Sequence, residues 1–244
     1  PPGSQAWLRA LRGGPAAQLR CLEAPWRQVW QRPCVEPGPE EWIAELDSLP
    51  AFPERTPWTT DALREMLRRM PSRKAVGLDG WAVAELRLLP DELMDLLAGL
   101  FEAVEQYGRW PKELCSPEGL LLPKASGDQS DPLARRPIWL LPMPYRIWAA
   151  GRAQLLAGWR TSWPDGDGGT GADELAWELA LELEAAEALG HSVCGAALDW
   201  RKAFDNIPLH NVGPMLERAG VPPWLRRPLV AAYTAPRRLR VDGA

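Results

Sequence analysis

Asp199 closes a run of small and apolar residues, 193–198, within the stretch Val-Cys-Gly-Ala-Ala-Leu-Asp-Trp-Arg-Lys-Ala-Phe-Asp-Asn-Ile. That composition suits a buried strand, which shows no alternation of apolar and polar residues. A carboxylate at the carboxyl end of such a strand stands where α/β proteins bind ligands and metals. Phe204 and Asp205 follow, and Ile207-Pro208 ends any strand. An Asp after a strand also caps a following turn or helix, and the stretch by itself leaves both roles open.

Two cations stand in a second suggestive arrangement. Gly-Leu-Leu-Leu-Pro-Lys (119–124) reads as a short strand ending in Lys124, and Arg-Arg-Pro-Ile-Trp-Leu-Leu (135–141) as another that begins with Arg135 and Arg136. A polar loop, 125–131, joins them. Two strands so connected bring Lys124 and Arg136 close together, as a polyphosphate requires; a solvated hairpin carries surface cations too, and the pattern does not separate the two. A third stretch, Lys-Ala-Val-Gly-Leu-Asp-Gly-Trp (74–81), holds Asp79 between glycines that permit a left-handed backbone or a close approach. It lacks the Walker pattern of a phosphate loop.

The elements that must carry these residues read as mostly helical. Residues 1–57 form a helix- and loop-rich lead-in, with helices expected over 19–30 and 40–46 and prolines punctuating the rest; no chemistry is evident there. Thr59-Thr60-Asp61 starts a helix with Leu63, Met66, Leu67 and Met70 at helical spacing, and Pro71 ends it. A short helix follows over 81–88. A longer one spans 91–107, its core face expected to be Leu93, Leu96, Leu97, Leu100, Phe101 and Val104, with Gly108 as its left-handed cap. Helices are also expected over 145–159 and, past a Gly- and Asp-rich linker (165–171), over 173–189. On the latter, Leu175, Leu179 and Leu183 share one face, while Glu174, Glu178 and Glu182 form a solvated row. Further helices cover 209–219 and 223–233. Residues 237–241 alternate like a strand and run into Asp242-Gly243, a hairpin-turn signal whose partner strand is missing, as if the chain were cut in mid-fold.

Composition bounds the function. The 244 residues are 46% hydrophobic and 25% charged, ordinary for a globular protein. No apolar run approaches the ~20 residues of a membrane span. Pro-Pro-Gly-Ser at the amino terminus has neither an initiator Met nor a signal-peptide layout, which points to a fragment or a processed piece and to an intracellular protein of nucleus or cytoplasm, not a secreted one. Cys21, Cys34, Cys115 and Cys194 are scattered, and with only two His they make a structural zinc site a poor fit. The 14 Trp, against 3 Phe and 3 Tyr, fall in apolar patterns and read as core fillers. A net charge of −4 argues against nucleic-acid binding by the whole surface. From residue 188 onward, however, eight Lys and Arg stand against four acids, which permits a locally basic surface near Asp199.

The order of these segments carries more than any one of them. A Lys-Ala-x-Gly-x-Asp-Gly loop comes first, then Leu-Leu-Pro-Lys, then Arg-Pro-Ile-x-Leu-Leu-Pro with Tyr-Arg-Ile, and last Leu-Asp-x-x-Lys-Ala-Phe-Asp-x-Ile-Pro. Together, over residues 59–244, they resemble the reverse transcriptase domain of non-LTR (LINE-type) retroelements, and also group II intron reverse transcriptases. The resemblance implies an α+β fold: a helix-rich lead-in (1–57), then a partial right-hand polymerase with fingers over about 58–165 and an incomplete palm with a small antiparallel sheet over about 166–244. It implies that Asp199 is the first metal-binding carboxylate, with the Trp200 backbone carbonyl also facing the metal, Mg²⁺ or Mn²⁺. Phe204 would lie under the incoming sugar. Lys124 and Arg136 would grip the incoming triphosphate, and the loop with Gly77, Asp79 and Gly80 would lie near the template. The implied partners are an RNA template, a DNA primer and a dNTP, with no membrane; the implied reaction is nucleotidyl transfer, in which metal-bound carboxylates and phosphates share the work.

The chain departs from the family pattern in three places. The usual Gln-x-Gly-Phe-x-x-x-Arg-x-Thr lead is replaced by Asp-Gly-Asp-Gly-Gly-Thr-Gly-Ala-Asp (165–173), which puts template contacts there in doubt. Val76 and Leu78 stand where Pro is frequent. No aromatic-x-Asp-Asp motif follows residue 207, so two of the three palm carboxylates are not in this chain, and it is expected to be inactive alone. The alternative is a degenerate retroelement-derived module that binds nucleic acid or protein without catalysis. Another Mg²⁺-dependent phosphotransferase would account for Asp199 but not for the ordered loops before it.

Overall fold

The computed structural model describes residues 13–31, 49–124, 131, 133–162, 172–195, 205, 207 and 209–240. In chain order the elements are α1 (Pro15–Trp30), α2 (Thr60–Arg69), α3 (Val83–Leu86), α4 (Asp91–Tyr107), α5 (Lys112–Cys115), β1 (Glu118–Pro123), β2 (Arg135–Leu140), α6 (Met143–Arg160), α7 (Ala172–Ala188), α8 (Leu209–Arg218), α9 (Pro223–Tyr233) and β3 (Arg238–Arg240). The chain is helix-rich with one small sheet, consistent with the α+β expectation. The helix expected over 40–46 and the linker at 165–171 lie outside the described residues.

Local signals set the helix ends. Thr59 Oγ1 accepts the Ala62 N–H at 3.2 Å at the start of α2, and Asp61 in the first turn and Arg68 and Arg69 in the last suit the helix dipole. Leu63, Met66, Leu67 and Met70 are buried, as their spacing predicts. Gly108 takes φ 69° at the end of α4, the left-handed conformation that lets its N–H bond back to Val104 O.

The core face of α4 differs from expectation. Met94, Ala98, Phe101, Val104 and Glu105 are the buried residues, whereas Leu93 and Leu96 are exposed and Leu97 and Leu100 only half-buried. The helix is turned so that Glu105 enters the core. There Oε1 accepts hydrogen bonds from Trp58 Nε1 (2.9 Å), Trp148 Nε1 (2.8 Å) and Arg152 Nε (2.6 Å), and Oε2 from Arg55 Nε (2.8 Å) and Arg152 Nη2 (2.9 Å). Arg152 also donates to Thr56 O and lies 4.4 Å over the Trp58 ring. Around this network α2, α3, α4, α6 and α9 close the main core, with Trp58, Trp110, Trp148 and Trp159 buried in it.

A second, smaller core joins α1 to the sheet. Leu22 and Trp26 of α1 are buried against Leu121, with Leu133 and Leu239 packed beside them. The strand order is β2-β1-β3. β1 and β2 are antiparallel, pairing Glu118 with Leu140 through to Pro123 with Arg135, which is the expected hairpin. The expected all-antiparallel sheet is corrected at β3, which runs parallel to β1 with Leu120 opposite Arg240. Its long route back through α8 and α9 replaces the tight turn that an antiparallel partner would use.

Two further expectations change. Val193 to Gly195, the described start of the expected buried strand, form no strand and are exposed. In α7, Leu179 and Leu183 are exposed rather than packed, as are Trp177 and Leu181 on the far side of the helix. Apolar residues on two faces are the pattern of a helix sandwiched between layers; among the described residues no such layer covers them. No helix among the described residues is long and apolar enough to cross a membrane.

Burial has a consequence at high pH. Tyr145 sits against Trp110 and Trp148, and burial, with smaller contributions from Tyr233 and Cys115, pushes its phenol up to about 12. The unfolded chain therefore loses this proton first as pH rises past 10. Stability associated with the neutral phenol is complete below pH 10 and is lost as pH climbs toward 12, by about 2–3 kcal/mol in all. Urea midpoints of wild type and Tyr145→Phe, measured at about pH 9 and about pH 11, should show the larger alkaline drop in wild type; equal drops would contradict this origin.

Candidate functional site

The hairpin places the two predicted cations together. Leu122 pairs with Arg136, and the Lys124 N–H donates to Ala134 O at 3.3 Å, continuing the same register one step toward the tip. Alternate residues share a face of a strand and directly opposed residues share a face of a pair. Lys124 and Arg136 are therefore diagonal neighbours on one face, with Arg136 exposed and Lys124 half-buried. Arg135 belongs to the opposite face, where burial lowers the pKa of its guanidinium and Nη1 donates to Leu121 O.

The glycine loop lies elsewhere. It is a turn closed by the Gly80 N–H to Gly77 O bond, and it docks where β2 leads into α6. Asp79 Oδ2 accepts the Met143 N–H at 2.7 Å, serving as an N-terminal cap that Pro142 at the cap position lacks the side chain to supply. Arg146 of α6 donates to Ala75 O in return. Asp79 Oδ1 is buried without a hydrogen-bond partner. From Arg136 to Leu141 the chain advances five residues, about 17 Å of extended strand. Gly77, Asp79 and Gly80 are thus not brought together with Lys124 and Arg136.

Asp199, Trp200 and Phe204 lie outside the described residues. Asp205 is described, and it reaches the lead-in. Trp30 Nε1 at the end of α1 donates to Asp205 Oδ1 at 3.1 Å. The Trp30 ring packs on Trp139 of β2, with centroids 5.3 Å apart, and the Arg237 guanidinium lies 5.0 Å over the Trp139 ring. Burial lowers the Arg237 pKa, with Asp205 and Tyr233 opposing the shift. Trp30, Trp139, Tyr233 and Arg237 border a cavity of ≈ 640 Å³ that Arg27, Leu209 and Leu239 also line.

No protein-family model matches the chain. Over 84 residues it is 31% identical to the RNA-directed DNA polymerase from mobile element jockey of Drosophila melanogaster. The match spans 34% of this chain and 9% of that protein. It supports a reverse-transcriptase-like region here.

Sequence reasoning found no role for the lead-in and missed its contact with Asp205. The signal present was Trp26 and Trp30 one helical turn apart, an aromatic pair that α1 turns toward the sheet. Among the described residues, no three His, Cys, Asp or Glu are grouped to hold a metal ion, and Asp199, the predicted ligand, is outside that set.

Proposed function

We propose that this chain is part of an RNA-directed DNA polymerase, with fingers over about 58–165 and the beginning of a palm over about 166–244, that acts on an RNA template, a DNA primer and a dNTP. The observation that carries the reading is the similarity to the jockey polymerase, joined to four family motifs in order along the chain. The shared face of Lys124 and Arg136 at the hairpin tip supports it, because two adjacent cations suit a triphosphate. In this reading Asp199, with the Trp200 carbonyl, holds Mg²⁺ or Mn²⁺, which supplies charge neutralisation and activation of the primer hydroxyl when bound. Mg²⁺ keeps few carboxylates and completes its shell with water and substrate phosphates, so a single Asp from this segment is a fitting share. Phe204 bears on the sugar, and the loop with Gly77, Asp79 and Gly80 lies on the template side.

One of the three carboxylates that the family resemblance implies is in this chain. Primer extension with Mg²⁺ is therefore expected to be absent for the 244 residues alone. In a longer chain that supplies an aromatic-x-Asp-Asp motif, extension is expected, and Asp199→Ala should reduce it about a thousand-fold or more with the unfolding midpoint unchanged. Strong extension by the 244-residue chain, or an Asp199→Ala rate near wild type, would refute the assignment.

A further inference from the structure

We infer that β3 extends the cationic face of the hairpin into a track for the sugar-phosphate backbone of a single-stranded nucleic acid. The inference rests on the polymerase reading for the class of ligand, and adds Arg238 and Arg240, which none of the four motifs includes. The register puts them there. Glu118, Leu120, Leu122 and Lys124 alternate onto one face of β1; Leu140, Ile138, Arg136 and Ala134 oppose them from β2, and Arg238 and Arg240 from β3.

The opposite face, with Leu121 and Leu239, is the one that α1 covers. This face is open along its middle and at β3: Leu122 is 50% and Ile138 40% exposed, and Arg136, Arg238 and Arg240 are exposed as well, while Lys124, Leu120 and Leu140 are half-buried. Arg238 stands at the sheet edge and also borders the cavity beside Trp30. Among the described residues the one acid on the face, Glu118, is buried at its base with a carboxylate oxygen 3.6 Å from Arg240.

Length decides between ligands. From Lys124 to the row of Arg238 is six residues along β1, about 20 Å, and β3 lies about 5 Å to one side of β1. That is far longer than one triphosphate, which the Lys124–Arg136 end accommodates by itself. A chain of several phosphates matches four cations set out at this spacing, and the charge of residues 188–244 runs the same way within an otherwise acidic protein. Among its described residues the face carries Leu and Ile but no aromatic ring, so the contact is expected to read backbone rather than sequence.

The test uses the 244-residue chain, without metal, and fluorescence anisotropy with a labelled single-stranded RNA of about 20 nucleotides, titrated at several salt concentrations. Arg238→Gln/Arg240→Gln should weaken RNA binding about tenfold at low salt. Its log–log salt slope should be shallower by about 1.4, two phosphate contacts at about 0.7 each for a single strand. Binding of a dNTP should not change. Arg136→Gln should weaken both ligands. Arg160→Gln, at the far end of α6 and about 25 Å along it, should leave both unchanged, and oligo(U) and oligo(A) should bind alike. Thermal midpoints identify any variant that fails to fold, and the single variant Arg238→Gln, which leaves the Arg240–Glu118 pair in place, then carries the RNA arm with a slope shallower by about 0.7. RNA binding that survives the β3 pair, a wild type that binds no RNA, or an Arg160→Gln loss of equal size overturns the inference. The polymerase reading stands or falls separately, on the extension assay with Asp199→Ala.

Discussion

Glu105→Gln is expected to lower the unfolding free energy by about 3–5 kcal/mol, the cost of removing one partner from a buried ion pair. Glu105 is 2% and Arg152 3% exposed, so the guanidinium left behind can neither reach water nor find another carboxylate. Gln keeps one acceptor oxygen for the two indole N–H groups and Arg152 Nε. It turns an NH₂ toward Arg55 Nε and Arg152 Nη2, donor against donor, where Glu105 Oε2 now accepts both. Arg152→Lys should cost nearly as much, because an ammonium cannot make the paired contact or lie flat over the Trp58 ring. Replacing both partners with Leu and Met removes the stranded charge but orphans the Trp58 and Trp148 N–H groups, so recovery should be partial. Urea unfolding of Glu105→Leu, Arg152→Met and the double that combines them forms a thermodynamic cycle. Additive losses, or a Glu105→Gln midpoint within error of wild type, would show that Glu105 is not the centre of this core. The exposed pair between Arg27 and Glu23 offers the contrast: its loss should cost less than about 1 kcal/mol.

The same carboxylate marks the boundary of what periodicity reveals. Thr59, Pro71 and Gly108 punctuate the chain locally, and the helices they bound form where expected because caps act within a turn of their own position. Which stripe of a helix is buried depends on its neighbours. A Leu-rich α4 offers a wider apolar arc than the core covers, and the partner that selects Glu105 over Leu96 is an arginine 47 residues away. The direction of β3 and the exposure of α7 are likewise tertiary facts: alternation announces a strand without its partner, and apolar spacing announces a face without what covers it.

The candidate site was legible to the same extent. Lys124 and Arg136 are joined by a hairpin, so strand pairing alone brings them to one face. Arg238 and Arg240 join that face only through a parallel pairing more than a hundred residues distant, and Trp30 meets Asp205 across 175 positions. Local patterns mark Trp26 and Trp30 as an aromatic pair and 237–241 as a strand, but carry no trace of the partner either one meets. The glycines of the 74–81 loop signal a close approach, and the approach exists at Gly77, where its target is the protein's own backbone.

Gly77→Ala tests that last point, with an expected loss of about 1–3 kcal/mol from overpacking. A Cβ at residue 77 would stand 2.6 Å from Leu141 O, 2.9 Å from Leu141 C and 3.0 Å from Pro142 N. All three atoms are backbone. Leu141 leaves the end of β2, Pro142 is rigid, and the next amide is held by Asp79, so none can swing aside as the tip of a side chain would. The usual benefit of Gly→Ala, about 0.4–1 kcal/mol from a less flexible unfolded chain, is too small to offset this. Gly80 provides the control within the same turn. Its Cβ would meet nothing within 4 Å, but its φ is +69°, so Gly80→Ala should cost about 1–2 kcal/mol through backbone conformation alone. Asp79→Ala removes the cap of α6 and should cost about 0.5–2 kcal/mol. Because Gly77 and Asp79 dock one loop on one helix start, Gly77→Ala/Asp79→Ala should cost clearly less than the sum of its singles, whereas Gly80→Ala should add more nearly in full to either. Urea midpoints of the set decide between the cases. A Gly77→Ala protein as stable as wild type would mean that the loop yields, and the glycine at 77 would then need a different explanation from the one at 80.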